Sequence, residues 1–209
     1  MTTRLQKPKG FPLVISAPSG TGKSTLCQKL LQRDKTLRYS VSCTTRPPRA
    51  GERNRRDYHF LTAEEFKDRM HDGEFLEWAI VHGAYYGTPR RPVEAWVAQG
   101  RVAILAIDVQ GARSVRRKRP DTVTIFLMPP SWRSLEERLH RRRDPEDVVQ
   151  SRLADAPLEI EQAKSYDYLV VNDSLDRAVG QVQAIIAAEK LKMFRQDLSP
   201  FRVKEEIAR

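Results

Sequence analysis

Cysteine is scarce in this chain of 209 residues, which has only Cys27 and Cys43. There is no Cys-x-x-Cys pair, so neither a disulfide framework nor a zinc site is supported. Long apolar runs are missing as well. The N-terminal "MTTRLQKPKG" is polar, and the "FPLVIS" that follows is too short for a signal-peptide core or a membrane span. The expectation is a soluble, cytoplasmic protein with reduced thiols and no membrane partner. The sequence also lacks a Gly/Ser-rich linker, a low-complexity tract and any repeat with a period of roughly 20 to 50 residues. Its length therefore suits one domain with a full core.

Acidic residues are in deficit. The 27 Asp and Glu against 37 Lys and Arg leave a net charge of +10, which points to an anionic partner: nucleic acid, an acidic membrane or nucleotides. The arginines gather in "TTRPPRAGERNRRDY" and "ERLHRRRDPEDVVQSRL". No aromatic platforms interleave them and no nucleic-acid-binding motif accompanies them, so nucleic acid is not expected. By default any single one of these arginines is solvated charge.

What is present is a strand-and-helix alternation. "FPLVIS" reads as a strand running into a Gly-rich loop, and "STLCQKLLQR" has apolar residues at helical spacing. Thr62 and Glu65 form the sequence signature of a capping box, which starts a short helix in "LTAEEFKDRM". "EFLEWAIVHGAYYGTP" reads as extended chain ending in a turn at Gly87. Pro89 to Gln99 reads as a helix closed by Gly100. "RVAILAID", "TVTIFLM" and "DYLVVN" are near-continuous apolar runs of the kind buried on both faces of a parallel sheet. Such strands alternating with helices predict an α/β fold.

The loop itself reads Ala17-Pro18-Ser19-Gly20-Thr21-Gly22-Lys23-Ser24. In G-x-x-x-x-G-K-[ST] the backbone N–H groups face phosphates, the lysine reaches the outer oxygens and the hydroxyl holds Mg²⁺. Here alanine replaces the first glycine. That is tolerable if residue 17 has negative φ. Gly20 and Gly22 remain where the backbone approaches the ligand. A chance lysine in a Gly/Ser turn is the bland reading, but the position between a strand and a helix argues for a helix N-terminus aimed at phosphate.

A second anion site is indicated by Thr45-Arg46-Pro47-Pro48-Arg49. Two guanidinium groups three residues apart on a proline-stiffened segment suit clamping one phosphate from two sides. Tyr58 and the pair Tyr85-Tyr86 offer phenolic hydroxyls, although packing is the simpler role for each.

With "SAPSGTGKST", "SVSCTTRPPRAGE", "DYHF", "GEFLEWAIVHGAYYGTP", "AIDVQGARSV", "IFLMPPS" and "YDYLVVND" in this order, the chain resembles the guanylate kinases over roughly residues 11–192. The resemblance implies a P-loop nucleoside monophosphate kinase fold with a five-stranded parallel core. It implies a core of residues 11–39, 90–130 and 157–192, a GMP-binding subdomain at about 40–89 and a lid at about 131–156. Residues 193–209 would be a C-terminal extension. The implied reaction is ATP + GMP giving ADP + GDP, with dGMP as a further acceptor. By position, Ser42, Arg46, Arg49, Tyr58 and Tyr86 would grip the GMP phosphate, and Glu77, Thr88 and Asp108 would read guanine. Lys23, Arg46 and the lid arginines Arg138, Arg142 and Arg152 would act on the transferred group, with Asn172 beside adenine. The chain departs from the family at Ala106, where an aspartate associated with the Mg²⁺ shell is usual, at Thr88, where serine is common and the hydroxyl is preserved, and in "RRRDPEDVV", which is one residue short and lacks Gly-Thr. Two rivals are a non-catalytic module of this fold that binds peptides or proteins, and a kinase for sugar phosphates. The intact Lys23, Ser24 and clamp arginines argue against the first. The second would have no use for Glu77, Thr88 and Asp108 together.

Overall fold

The structure is a computed structural model that describes residues 8–49, 51–81, 83–141 and 144–197. Arg142 and His82 lie outside the described residues, as does most of the expected C-terminal extension. The first half of the chain forms β1 (Phe11–Ser16), α1 (Lys23–Arg33), β2 (Arg38–Tyr39), β3 (Cys43–Thr44), β4 (His59–Phe60), α2 (Ala63–His71), β5 (Phe75–Val81) and β6 (Ala84–Pro89). The second half forms α3 (Arg90–Ala98), β7 (Val102–Ala106), α4 (Val109–Lys118), β8 (Val123–Met128), α5 (Trp132–His140), α6 (Glu146–Glu161), β9 (Tyr168–Val171) and α7 (Leu175–Lys190). Among the described residues no helix is long and apolar enough to cross a membrane.

Five strands in the order β2-β7-β1-β8-β9 make the central sheet, and every pairing in it is parallel. The fold is therefore α/β with a five-stranded parallel sheet flanked by helices. On one face, Leu26 and Leu30 of α1 and Val179 and Val182 of α7 pack with Leu13 and Ile15. On the other, Val93 of α3 and Val115 of α4 meet Val14 and Leu105. β1 is buried along its whole length because covered strands lie on both sides of it. β9 differs from the expectation of burial on both faces. It is an edge strand, and Leu169 and Val171 are 58% and 39% exposed.

A second sheet, β4-β3-β6-β5, lies within residues 43–89. Beneath it Phe66 of α2 stacks on Phe75 at 4.5 Å and on Tyr85 at 5.2 Å between ring centroids. The predicted capping box is formed, Thr62 and Glu65 each bonding the other's backbone N–H. The turn expected at Gly87 lies instead at Gly83, whose φ of 76° only glycine adopts cheaply. Gly87 sits inside β6 opposite Trp78. A Cβ there would lie 2.9 Å from both Phe66 and Phe75, so the residue is small for packing rather than for turning. A third cluster, Leu135, Leu139, Val149, Leu153 and Ala156, joins α5 to α6.

Candidate active site

The loop between β1 and α1 opens onto a cavity of about 790 Å³. Its wall is shared by the loop residues Ala17 to Ser24, by Ser42, Arg46, Arg49, Tyr58, Glu77 and Tyr86 from the second sheet and its turns, by Asp108, and by Arg152 of α6. The predicted phosphate loop and the predicted acceptor residues thus face one space. Ala17 does not have positive φ, since Arg55 is the non-glycine residue in that class among the described residues. Its replacement of glycine is accommodated as the sequence required. Gly22 does need to be glycine: its φ is 98°, and a Cβ would stand 2.7 Å from the Asn172 amide nitrogen.

Lys23 begins α1, and its Nζ donates to the Ile107 carbonyl at 2.9 Å. That bond ties the donor loop to the β7–α4 junction. Glu159 of α6 also reaches this loop, taking the Ser19 backbone N–H beside Lys23, and burial pushes its carboxyl up to about 7. Glu159 carries no motif signal, because one acid on an amphipathic helix looks like solvated charge in the sequence. The buried Thr21 hydroxyl has no hydrogen-bond partner among the described residues.

In the acceptor half, Arg46 is held on three sides. Its Nη1 and Nη2 donate to the two Glu52 oxygens at 2.9 Å each, its Nε donates to the Tyr86 hydroxyl at 3.2 Å, and its guanidinium lies 5.4 Å from the centre of the Tyr58 ring. Burial alone would lower the Arg46 pKa, but the bonds to Glu52 and Tyr86 outweigh it and raise it. Glu52 was not singled out by the sequence, although it closes the motif "RPPRAGE". It also accepts the Arg49 backbone N–H at 2.7 Å, so one carboxylate shapes the whole clamp.

Deeper in the site, Glu77 of β5 is 2% exposed and accepts a 2.5 Å hydrogen bond from the Thr88 hydroxyl of β6. Burial pushes its carboxyl from 4.5 up to about 7, the Thr88 bond opposes that rise, and nearby Asp108 adds to it. Thr88 itself lies behind Glu77 and off the cavity wall. Asp108 is the N-cap of α4, with Oδ1 accepting the Gly111 N–H at 3.0 Å. Gly111 leaves room for this pair, since a Cβ there would lie 2.7 Å from Glu77 Oε2 and 3.0 Å from Asp108 Oδ1.

Two further predicted residues, Arg138 and Asn172, stand off the wall of the cavity. Arg138 donates to the Thr21 carbonyl at 3.0 Å and the Asn172 carbonyl at 3.1 Å, and the Asn172 amide donates to the Thr21 carbonyl at 2.7 Å. Both therefore brace the donor loop here. Cys27 and Cys43 are free and buried, as expected. Among the described residues no group of three or more His, Cys, Asp or Glu could hold a metal by itself. Ser24, Asp108 and Glu159 on one cavity wall suit a Mg²⁺ that arrives with a nucleotide and keeps water ligands, rather than one caged by protein.

A family model described as guanylate kinase matches residues 9–189. The chain belongs to the guanylate kinase family. It is 50% identical over 190 residues to the guanylate kinase of Symbiobacterium thermophilum, covering 90% of each chain. It is 48% identical over 191 residues to that of Agrobacterium fabrum, covering 90% of this chain and 86% of the relative. The crystal structure of guanylate kinase from Anaplasma phagocytophilum matches it with a TM-score of 0.78 at 37% identity over 92% of both chains. As a guanylate kinase family enzyme, this protein is a nucleotide-binding phosphotransferase, and the two-sheet cavity is where its chemistry must be sought.

Proposed function

We propose that the protein transfers the γ-phosphoryl group of ATP to GMP or dGMP, giving ADP and the diphosphate, without a covalent enzyme intermediate. The observation that carries this reading is the Thr88-bonded Glu77 carboxylate, buried in the same cavity as Lys23 and the donor loop. Residues 11–39, 90–130 and 157–192 act as the core, about 40–89 as the acceptor subdomain and about 131–156 as the lid. Arg46, Arg49, Ser42, Tyr58 and Tyr86 hold the acceptor phosphate. Glu77 and Asp108 accept from the N1–H and N2–H₂ of guanine, and the Thr88 hydroxyl serves the base edge through Glu77. Adenine offers an acceptor at N1, so AMP would bring a lone pair against a buried carboxylate.

On the donor side, the loop N–H groups and Lys23 cradle the outer phosphates. Ser24 would hold the nucleotide's Mg²⁺, which when bound with ATP would supply positive charge against the charge developing on the phosphates. Arg152 faces the transferred group. Arg138 and Asn172 support the loop that carries the donor, and Arg142 belongs to the lid on the family pattern alone. No residue need act as nucleophile, because positioning and charge neutralisation suffice for phosphoryl transfer. A coupled ADP-release assay with GMP, AMP, UMP and CMP tests the reading. GMP should be preferred by several orders of magnitude, and equal rates with AMP would refute it.

A further inference from the structure

Two arginines from separate parts of the molecule converge on one carboxylate. Arg49 lies in the proline-stiffened turn after β3, and Arg152 lies in the second turn of α6. Asp144, two residues before α6, bonds Arg152 Nη1 through Oδ2, and its Oδ1 lies 3.6 Å from Arg49 Nε. The Arg152 and Asp144 side chains are 6% and 13% exposed, while Arg49 is 41% exposed. Arg49 and Arg152 line the cavity, but Asp144 does not. The carboxylate therefore holds the two guanidinium groups from behind the wall, leaving their remaining N–H donors to the cavity.

The local chain is built for this. Pro145 is the N-cap of α6 with φ of −53°, which stiffens the entry to the helix. The helix N-terminus also favours an acid there. The two contacts differ in strength. The Arg152 bond is charge-assisted and nearly dry, whereas a 3.6 Å contact to a half-exposed arginine is too long for a hydrogen bond. Arg49 can turn to an incoming phosphate while Arg152 stays anchored. Without the carboxylate, Arg152 would be a buried cation facing a second cation across the acceptor phosphate site.

We propose that Asp144 is a positioning residue for phosphoryl transfer: it anchors Arg152 of the lid against Arg49 of the acceptor clamp, so that both arginines close on adjacent phosphoryl groups together. This rests on the ATP:GMP reading above. Asp144→Asn keeps the shape and removes the charge. Its kcat should fall on the order of tenfold or more, the scale on which misplaced positioning groups act. Its KM for GMP should stay level or drop, because one negative charge has left the neighbourhood of the phosphate. A merely structural loss would raise KM instead.

The experiment measures kcat and KM for GMP in wild type, Asp144→Asn, Asp144→Glu, Arg152→Ala and the double variant Asp144→Asn/Arg152→Ala, with thermal melts alongside. Asp144→Glu retains the charge that pairs with Arg152 and should keep kcat within about threefold. If Asp144 acts through Arg152, the double variant is no slower than Arg152→Ala alone. Wild-type kcat in Asp144→Asn, an equal loss in Asp144→Glu, or fully additive losses in the double variant would each overturn the inference. Wild-type enzyme that fails to phosphorylate GMP would instead overturn the ATP:GMP reading itself.

Discussion

Glu77 is where a single side chain says most about what the protein does. Its pKa rises on folding from 4.5 to about 7, chiefly through burial, so folding favours the protonated acid. That contribution to stability is whole below about pH 4.5 and is lost as pH rises through about 7, a swing of about 3 kcal/mol. On the proposed reading, guanine is held by the ionised form. We expect kcat/KM for GMP to fall about tenfold per pH unit below about pH 7, and this limb should vanish in Glu77→Gln. A wild-type profile flat from pH 5.5 to 7.5 would contradict it. Urea melts at pH 8 should find Glu77→Gln more stable than wild type, by as much as about 3 kcal/mol. A second prediction at this scale concerns Ala106, which lines the cavity without offering a ligand. The Ala106→Asp variant should reach half-maximal rate at lower Mg²⁺, and superimposable Mg²⁺ titrations would show that position 106 has no part in metal handling.

Elements, rather than residues, decide how much could be read in advance. The donor loop was legible because one contiguous string sets it, and the capping box of α2 for the same reason. The clamp was legible as arginines but not as a clamp: Glu52, which fixes Arg46 and Arg49, is one more acid among solvated charges until Arg46, bonded to Tyr86 of β6, turns both terminal nitrogens onto it. Glu159 was invisible because its partner Ser19 is far away in sequence, and Asp144 because Arg49 is distant and its spacing to Arg152 matches no motif. β9 was over-read, since an apolar run looks the same at a sheet edge as at its centre. Gly87 was misread as a turn because aromatic crowding by Phe66 and Phe75 leaves no local trace. Gly111 of α4 yields a prediction of the same kind. Its substitution by alanine would press a methyl against Glu77 Oε2, the movable end of a side chain, so the helix should survive and the base reader should shift. We expect Gly111→Ala to fold with a near-normal melt and lose up to roughly a hundredfold in kcat/KM for GMP, as an ångström-scale misplacement can. Unchanged kinetics would show that Glu77 has slack.

At the scale of the whole molecule, Lys9 ahead of β1 and Arg195 beyond α7 are fastened to each other and to the core. The Lys9 backbone N–H donates to the Arg195 carbonyl at 2.8 Å. The Arg195 guanidinium lies 4.0 Å from the centre of the Phe11 ring, is 2% exposed, and donates to the Asp121 carbonyl at 2.8 Å with Glu189 at 3.5 Å. Glu189 keeps Tyr168 and Lys192 as partners if Arg195 is lost, so its desolvation is only partly uncovered. Arg195→Ala should therefore cost roughly 2–4 kcal/mol, near the low end for breaking a buried pair. In a chain of this length that lowers Tm by roughly 4–16 °C, with kcat/KM unchanged because the lock is remote from the cavity. A parallel loss of activity at a temperature well below the melt would tie the lock to the site.

The central claim is that one cavity holds a phosphate donor loop and a carboxylate that reads guanine. The most direct measurement is kcat/KM for GMP and for AMP in wild type, Glu77→Gln and Arg49→Ala. Losing a charge-assisted hydrogen bond costs roughly 1.5–3 kcal/mol, so Glu77→Gln above pH 7 should lower kcat/KM for GMP on the order of tenfold to a hundredfold. The AMP value should change much less, since AMP makes no such bond. Arg49→Ala should weaken both, since both carry the phosphate. Equal losses for GMP and AMP in Glu77→Gln would contradict the account, because the buried carboxylate would then not be reading the base.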